Sequence, residues 1–413
     1  MRKRVAVTGL GCVTPFGIGR RALFESLVAG RSAVSLISSF DTSDFKTKIA
    51  AEIKDFDPDP YFPKSETRRM DRFTQFAAVA AKDALFDAKI DLNHLDKSRA
   101  GIILGSGFGG ISTTLEQHKN LLERGARRVS PMCVPMMIPN MAAGNLAILF
   151  GLRGPNETIC TACASSSHAI AAAFRMISSG KADLMFCGGS EAPVNPLVLA
   201  AFSSMNALSK RNGEPEKASR PFDKERDGFV LGEGSGIVIL ESFEHALSRN
   251  ARIYAEIAGA GSSADAYHIT SPDPDAKGAE SAMRAALLDA GTDASEVDLV
   301  VAHGTGTLAN DPIETKAIKA VFGEKAYKTP VISIKSMIGH TLGAAAALEA
   351  VAAVSTIAEG VIPPTINLET PDSECDLDYV PKLARKAEIE CVMTDSFGFG
   401  GQNSVLIFKS VNS

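Results

Sequence analysis

The feature that most constrains this chain is a succession of elements that occurs twice. Residues 5–11 read as an apolar strand ending in glycines, 71–89 as an amphipathic helix, 100–105 as a strand and 157–160 as a short strand. A helix of small residues, 164–179, follows and is stopped by Gly180. Roughly 240 to 250 residues later the order returns. It runs through strand 253–259, helix 278–290, strand 297–303, helix 312–322, strand 330–334 and a small-residue helix 341–359 stopped by Gly360. Apolar strands at 236–240 and 404–408 close the two halves, so two similar α/β halves are expected, 1–250 and 251–413. Alternating strands and helices predict parallel or mixed sheets covered by helices. The two Ala-rich helices are apolar nearly all round and should form central layers. Cys163 and His340 then stand at equivalent helix ends, where pseudo-symmetry would bring them together.

With 413 residues, 45% hydrophobic and 22% charged, the chain has enough apolar material for a large core. A net charge of -5 leaves no basic footprint, so nucleic acid is not an expected partner. The Ala-rich stretch 343–358 is interrupted by Glu349 and reads as a buried helix, not a membrane span. Met1-Arg-Lys-Arg runs directly into a strand without the apolar core of a signal peptide, so a cytoplasmic location is expected. Seven cysteines, an odd count scattered along the chain, argue for buried thiols and against a disulfide framework.

Cys163 lies in Thr161-Ala-Cys-Ala-Ser-Ser-Ser-His, where a strand gives way to a helix of small residues. Free amides and the dipole at a helix amino terminus favour a thiolate and suit a carbonyl oxygen that gains charge. An ordinary buried cysteine is inert; the position and the histidines set this one apart. Cys160 and Cys163 form a Cys-x-x-Cys. No second pair completes a zinc site, and a redox pair belongs in a small thioredoxin-like unit, so no metal is expected here. His303, in Val300-Val-Ala-His-Gly-Thr-Gly-Thr, and His340, after Ile332-Ser-Ile-Lys-Ser-Met-Ile-Gly, both leave apolar strands beside glycine. That placement points to acid–base or hydrogen-bonding chemistry. Lys335 ends an expected strand, so its ammonium needs a counter-charge, for which Glu314 is the natural candidate. Asn310-Asp-Pro-Ile-Glu also reads as a helix start, with Asp311 as cap and Glu314 three residues on; capping alone and capping with pairing both stay open. Glu349, inside a buried helix, needs a partner or an ion. Gly105-Ser-Gly-Phe-Gly-Gly matches a dinucleotide fingerprint, but neither a clear apolar helix nor the distal acidic residue follows, and nucleotide binding is not expected.

Together these segments resemble the β-ketoacyl-acyl-carrier-protein synthases, most closely the type II elongating enzymes of dissociated bacterial fatty acid synthesis. The likeness runs from Val5-Ala-Val-Thr-Gly-Leu-Gly to Ser404-Val-Leu-Ile-Phe. Between them Thr161-Ala-Cys-Ala-Ser-Ser, Arg220-Pro-Phe-Asp, Gly228-Phe-Val-Leu-Gly-Glu-Gly, His303-Gly-Thr-Gly-Thr, Lys335-Ser-Met-Ile-Gly-His and Phe397-Gly-Phe-Gly-Gly occur in family order. The resemblance implies a thiolase-like fold, in which two duplicated αβα halves form a five-layered αβαβα architecture, and a homodimer. It implies a decarboxylative Claisen condensation of malonyl-carrier with an acyl chain bound to Cys163, assisted by His303 and His340. It further implies that Lys335 pairs with Glu314 to support the histidines and that the amides of Cys163 and Phe399 form an oxyanion hole. Phe399 would gate the acyl and malonyl sites, Thr305 and Thr307 would touch the pantetheine arm, and Phe397 and Phe108 would contact substrate. Phosphopantetheine arrives on the acyl carrier protein, so the resemblance implies no separate cofactor, apart from a structural monovalent cation near Glu349.

Some residues depart from the family pattern. Phe108 stands where the usual elongating enzyme has a smaller aliphatic residue, so a shorter acyl pocket and a preference for short or planar primers are expected. Gly306 and Asn310-Asp-Pro-Ile-Glu have a polyketide ketosynthase flavour, and Val301 and Asp395 replace asparagines often found near the cation site. The main alternative is therefore a ketosynthase of a specialised polyketide or polyene pathway with the same chemistry. A non-catalytic chain-length partner would lack the nucleophile that this chain keeps. A thiolase needs a second cysteine in a late glycine-rich segment, and Cys391 lies outside one.

Overall fold

In a computed structural model that describes residues 2–411, strand β1 (Val5–Thr14) is buried at every position. Met1, the first residue of the amino-terminal run read above, lies outside the described residues. Glycines in β1 serve close packing. A Cβ on Gly11 would stand 2.1 Å from the Ala80 carbonyl oxygen, in helix α1 (Arg72–Asp87). Asp71 caps α1 by accepting from the Phe73 N–H.

Strands β2 (Ala100–Gly105), β3 (Asn156–Ile159), β4 (Leu184–Glu191) and β5 (Gly234–Ser242) complete the first half, in the order β1-β5-β4-β2-β3. The second half contains β6 (Ala255–Ala264), β7 (Leu299–Val301), β8 (Val331–Ile332), β9 (Cys391–Gly398) and β10 (Gln402–Lys409), in the order β6-β10-β9-β7-β8. The two orders superimpose strand for strand. In each half the first two pairings are antiparallel and the last two parallel. Antiparallel pairing of β1 with β6, from Val5↔Ile257 to Val7↔Ala255, joins the halves into one continuous sheet.

Helices α3 (Ser165–Ser178) and α6 (Ala345–Glu359) touch each other and lie between the halves. The first contacts β4 and β10; the second contacts β5 and β9. Outside them, α1 and α2 (Met141–Phe150) cover the first half, while α4 (Lys277–Ala290) and α5 (Asn310–Phe322) cover the second. This is the five-layered thiolase-like arrangement. Small residues let the middle layers approach: a Cβ on Gly236 would meet the Ala347 carbonyl carbon at 2.7 Å. Leu348, Val351 and Val354 of α6 are fully buried, each contributing about 1.5–3 kcal/mol. The stretch Leu342–Glu359 is long and apolar enough to cross a membrane by composition, yet 83% of it is buried inside the protein, which marks it as a core helix.

Several expected elements are shorter than their apolar runs. The strand expected over 297–303 covers only Leu299–Val301, leaving His303 in the loop beyond it. The strand expected over 330–334 stops at Ile332, and Lys335 opens a four-residue helix, Lys335–Ile338, instead of ending a strand. A 3-10 turn, Leu342–Ala344, precedes α6. The short strand expected over 157–160 is β3, Asn156–Ile159, at an outer edge of the sheet, and Cys160 lies exposed just beyond it.

Candidate active site

The turn that presents Cys163 is held by its own neighbours. Ala162 adopts a left-handed conformation, φ 50°, which is costly for a residue with a Cβ. The Ser165 hydroxyl accepts from the Thr161 N–H at 2.9 Å and donates to the Ala162 carbonyl at 2.6 Å. The Thr161 hydroxyl also lies 2.9 Å from His168 Nδ1. Cys163 follows this bend at the start of α3 and lines the cavity beneath it.

From the second half, His340 Nε2 comes within 3.0 Å of Cys163 Sγ. The rings of His303 and His340 are 5.4 Å apart and nearly perpendicular, and the sulfur and one nitrogen of each imidazole lie within 4.8 Å of one another. These are donor types that also ligate zinc. The Gly228–Gly234 motif positions His340 through its backbone: His340 N–H donates to the Val230 carbonyl and Gly232 N–H to the His340 carbonyl. Glu314, in α5, accepts from the His303 and Gly304 N–H groups at 2.6 and 2.7 Å and so fixes the loop that carries His303.

The structure corrects two expectations about charge. Lys335 pairs with Glu349, not Glu314, and also donates to the His303 carbonyl oxygen. Its position at a helix start aims the ammonium toward α6, while both oxygens of Glu314 are taken by backbone amides. Asp311 is not the cap of α5; that place is Ala309, and the Asp311 carboxylate accepts from the Phe222 and Gly306 N–H groups. Burial pushes the Cys163 thiol up to about 12, with the Lys335 ammonium and the Phe399 N–H pulling it back. The helix amino terminus was expected to favour a thiolate, but desolvation of the sulfur outweighs it. Burial, and after it the Lys335 charge, holds both imidazoles well below the ordinary histidine range. The site is thus a thiol beside two neutral imidazoles.

Phe399 follows β9 and reaches this site because Gly398 has no side chain. A Cβ there would stand 2.6 Å from the Thr161 carbonyl oxygen and 3.4 Å from the Cys163 nitrogen. The backbone of Phe399 therefore lies against the Cys163 turn, and its N–H is directed at the sulfur. Phe397 packs edge-on to His303, with ring centroids 5.8 Å apart.

A cavity of about 490 Å³ opens onto Cys163, His303 and His340. Phe108, Thr305, Thr307, Phe397 and Phe399 line it, and the Thr305 and Thr307 hydroxyls are 3.0 Å apart. Sequence reasoning missed Phe202 and Phe229, which bridge the two ends of the cavity. Phe108 stacks edge-on with Phe202 at 6.2 Å, Phe202 with Phe229 at 5.3 Å, and Phe229 with His340 at 5.3 Å. It also missed Glu191, which ends β4 fully buried and accepts from the N–H groups of Gly107, Phe108 and Gly343 and from the Ser106 hydroxyl. A carboxylate ending an apolar strand was the available signal, the same one that drew attention to Lys335. Glu191 also explains the glycine fingerprint, since its carboxylate occupies the amides that would cradle a phosphate. One oxygen of Glu349 and both carboxylate oxygens of Asp395, close enough for the two carboxyl groups to repel, are buried without a hydrogen-bond partner among the described residues.

Comparison with known proteins agrees with this geometry. Residues 2–246 match the family described as "Beta-ketoacyl synthase, N-terminal domain", and residues 254–369 match "Beta-ketoacyl synthase, C-terminal domain". A protein of Synechocystis sp. named 3-oxoacyl-[acyl-carrier-protein] synthase 2 is 50% identical over 408 residues, 99% of this chain and 98% of its own. The solved ishigamide ketosynthase/chain length factor superposes with a TM-score of 0.92 at 37% identity, covering 99% of this chain and 100% of that one. A ketosynthase solved with its type II polyketide acyl-carrier protein and bound to the hexaketide gives 0.91 at 36% identity, covering 100% of both. Whole-length identity to such relatives, with the thiol and both imidazoles meeting at one cavity, establishes that the chain belongs to the β-ketoacyl synthase family.

Proposed function

We propose that this protein is a 3-oxoacyl-[acyl-carrier-protein] synthase, an acyltransferase that elongates acyl chains in fatty acid synthesis by decarboxylative condensation. The supporting observation is the 3.0 Å approach of His340 Nε2 to Cys163 Sγ, with His303 beside them in one buried cavity. Cys163 sulfur attacks the carbonyl carbon of an acyl thioester while its proton passes to His340. The tetrahedral oxyanion takes hydrogen bonds from the Cys163 and Phe399 N–H groups, and the proton leaves with the pantetheine thiol. Malonyl-carrier then enters. Its bond to the carboxylate breaks, carbon dioxide departs, and the electron pair moves onto the thioester as an enolate held by an N–H of His303 and by His340 after its remaining proton has shifted to Nε2. The enolate carbon attacks the Cys163 thioester, and sulfur leaves as a thiolate that takes up one proton from solvent, which restores the resting thiol.

Neutral imidazoles suit this work, because they donate hydrogen bonds without carrying a charge that would bind the carboxylate more tightly than the enolate. Thr305 and Thr307 present hydroxyls to the pantetheine arm, Phe397 packs against His303, and Phe399 stands at the gate between acyl and malonyl sites. The partner is an acyl carrier protein, as named for one solved relative, and the enzyme acts as a homodimer. Seven free cysteines are consistent with the cytoplasm. The buried, unpartnered oxygens of Glu349 and Asp395 fit a monovalent cation, which would neutralise carboxylate charge behind the Lys335 pair.

A second reading, a ketosynthase of a polyketide or polyene pathway, is favoured by the Phe108–Phe202 pair, which narrows the cavity and suits short or planar acyl groups. Incubation with acyl-carrier and malonyl-carrier should place the acyl mass on Cys163 and yield a 3-oxoacyl-carrier, both lost in Cys163→Ala. An unmodified Cys163 would refute the assignment. Efficient use of long saturated primers would discard the second reading and the short pocket with it.

A further inference from the structure

We infer that Glu191 is a positioning residue that sets the depth of the acyl pocket, by tying the loop that carries Phe108 to the helix layer of the opposite half. Its carboxylate has no exposed surface and, among the described residues, touches no cationic side chain. Oε1 accepts from Phe108 N–H and from the Ser106 hydroxyl, both at 3.0 Å; Oε2 accepts from Gly107 N–H at 2.7 Å and from Gly343 N–H at 3.1 Å. Three of these donors belong to the loop leaving β2. The fourth belongs to the turn three residues after His340, just before α6.

The surroundings are built to this contact. A Cβ on Gly343 would lie 2.5 Å from Glu191 Oε2 and 2.6 Å from the Gly107 nitrogen, and one on Gly189 would lie 2.8 Å from the Gly343 carbonyl oxygen. Ser106 extends the cluster by accepting from Gly109 N–H at 3.0 Å. With its backbone held on both sides of the side chain, Phe108 projects into the cavity against Phe202. Burial raises the Glu191 carboxyl to about 7 while its four bonds pull it back, and as the anion it matches four donors in a way that a neutral amide does not, because a Gln side chain turns one acceptor into a donor facing other donors. A buried group left without its partner costs more than the bond it made. Loss of this anchor should therefore release Phe108 before it unfolds the protein.

The inference rests on Phe108 closing the acyl end of the cavity, and the test separates the two. Turnover of short and long acyl-carriers is compared in wild type, Phe108→Ala, Glu191→Gln and the double variant. Phe108→Ala should raise the long-to-short ratio, and failure to do so would remove the premise. Glu191→Gln should raise the same ratio by about fivefold or more while the KM for malonyl-carrier stays constant. In the Phe108→Ala background the Glu191→Gln shift should vanish, which general loosening of the protein would not produce. A Glu191→Gln protein with the wild-type primer profile, or with an equal shift in both backgrounds, overturns the proposal. If Glu191→Gln fails to fold, Ser106→Ala removes one donor and leaves the carboxylate in place. It should shift the ratio in the same direction and speed amide exchange at Gly107 and Phe108, and no change in either would overturn the proposal equally.

Discussion

Lys335 and Glu349 form a fully buried ion pair, and the same ammonium donates to the carbonyl oxygen of His303. One charge thus fixes the backbone of a reactive imidazole from behind and adds to the burial that holds both imidazoles well below the ordinary histidine range. Burying the pair is itself costly, so its value lies in what it orients.

Breaking the pair should be expensive. Lys335→Met leaves Glu349 buried and unpaired, with an expected loss of about 3–5 kcal/mol in urea unfolding and no measurable condensation. The double variant Lys335→Met with Glu349→Leu should recover much of that stability and none of the activity. Recovered activity would show that the ammonium is not needed for the chemistry.

Malonyl-carrier decarboxylation should be nearly independent of pH through the ordinary histidine range. Burial and Lys335 lower the pKa of both His303 and His340, so each imidazole stays neutral as the pH falls through about 6.5 and charges only in more acid solution. Carbon dioxide release followed across pH tests this directly. A tenfold decline centred near the unperturbed histidine value would contradict it.

Gly398→Ala should impair catalysis more than folding. The added methyl would press on the Thr161 carbonyl and move the Phe399 N–H away from Cys163. Loss of one oxyanion donor corresponds to a fall in kcat of about 100- to 1,000-fold. Single-turnover acylation of Cys163 would measure it, with the thermal midpoint as the control for folding.

Acid stability should depend on Glu241. Burial alone would raise its pKa, but bonds from Arg249, His245 and Thr8 outweigh burial and bring the carboxyl down from 4.5 to about 2. A group depressed on folding stabilises fully above its unfolded pKa and loses that contribution as the pH falls through the folded value. Wild type should therefore lose on the order of 3 kcal/mol between about pH 5 and pH 2 from this residue. Glu241→Gln should start less stable at neutral pH and show a correspondingly shallower acid decline in denaturant titrations.

The doubled order of strands and helices was legible because apolar periodicity and glycine stops are local signals, and Cys163, His303 and His340 stood out by the elements they terminate. The partner of Lys335 was not legible. Glu314 lies in a neighbouring sequence motif, yet Glu349 on α6 receives the ammonium, because Lys335 begins a helix and the Glu314 oxygens already hold the amides of His303 and Gly304. Nor could the strand-to-helix bend alone reveal the protonation of Cys163, since its thiol pKa follows the depth at which two halves close over it. Glu191 makes the same point: its acceptors are met by amides 83 to 152 residues away in the chain, a convergence that only the packed layers create. Local pattern determined the elements and the reacting groups; long-range packing decided which charges face one another, because desolvation and hydrogen-bond geometry depend on neighbours that sequence spacing does not specify.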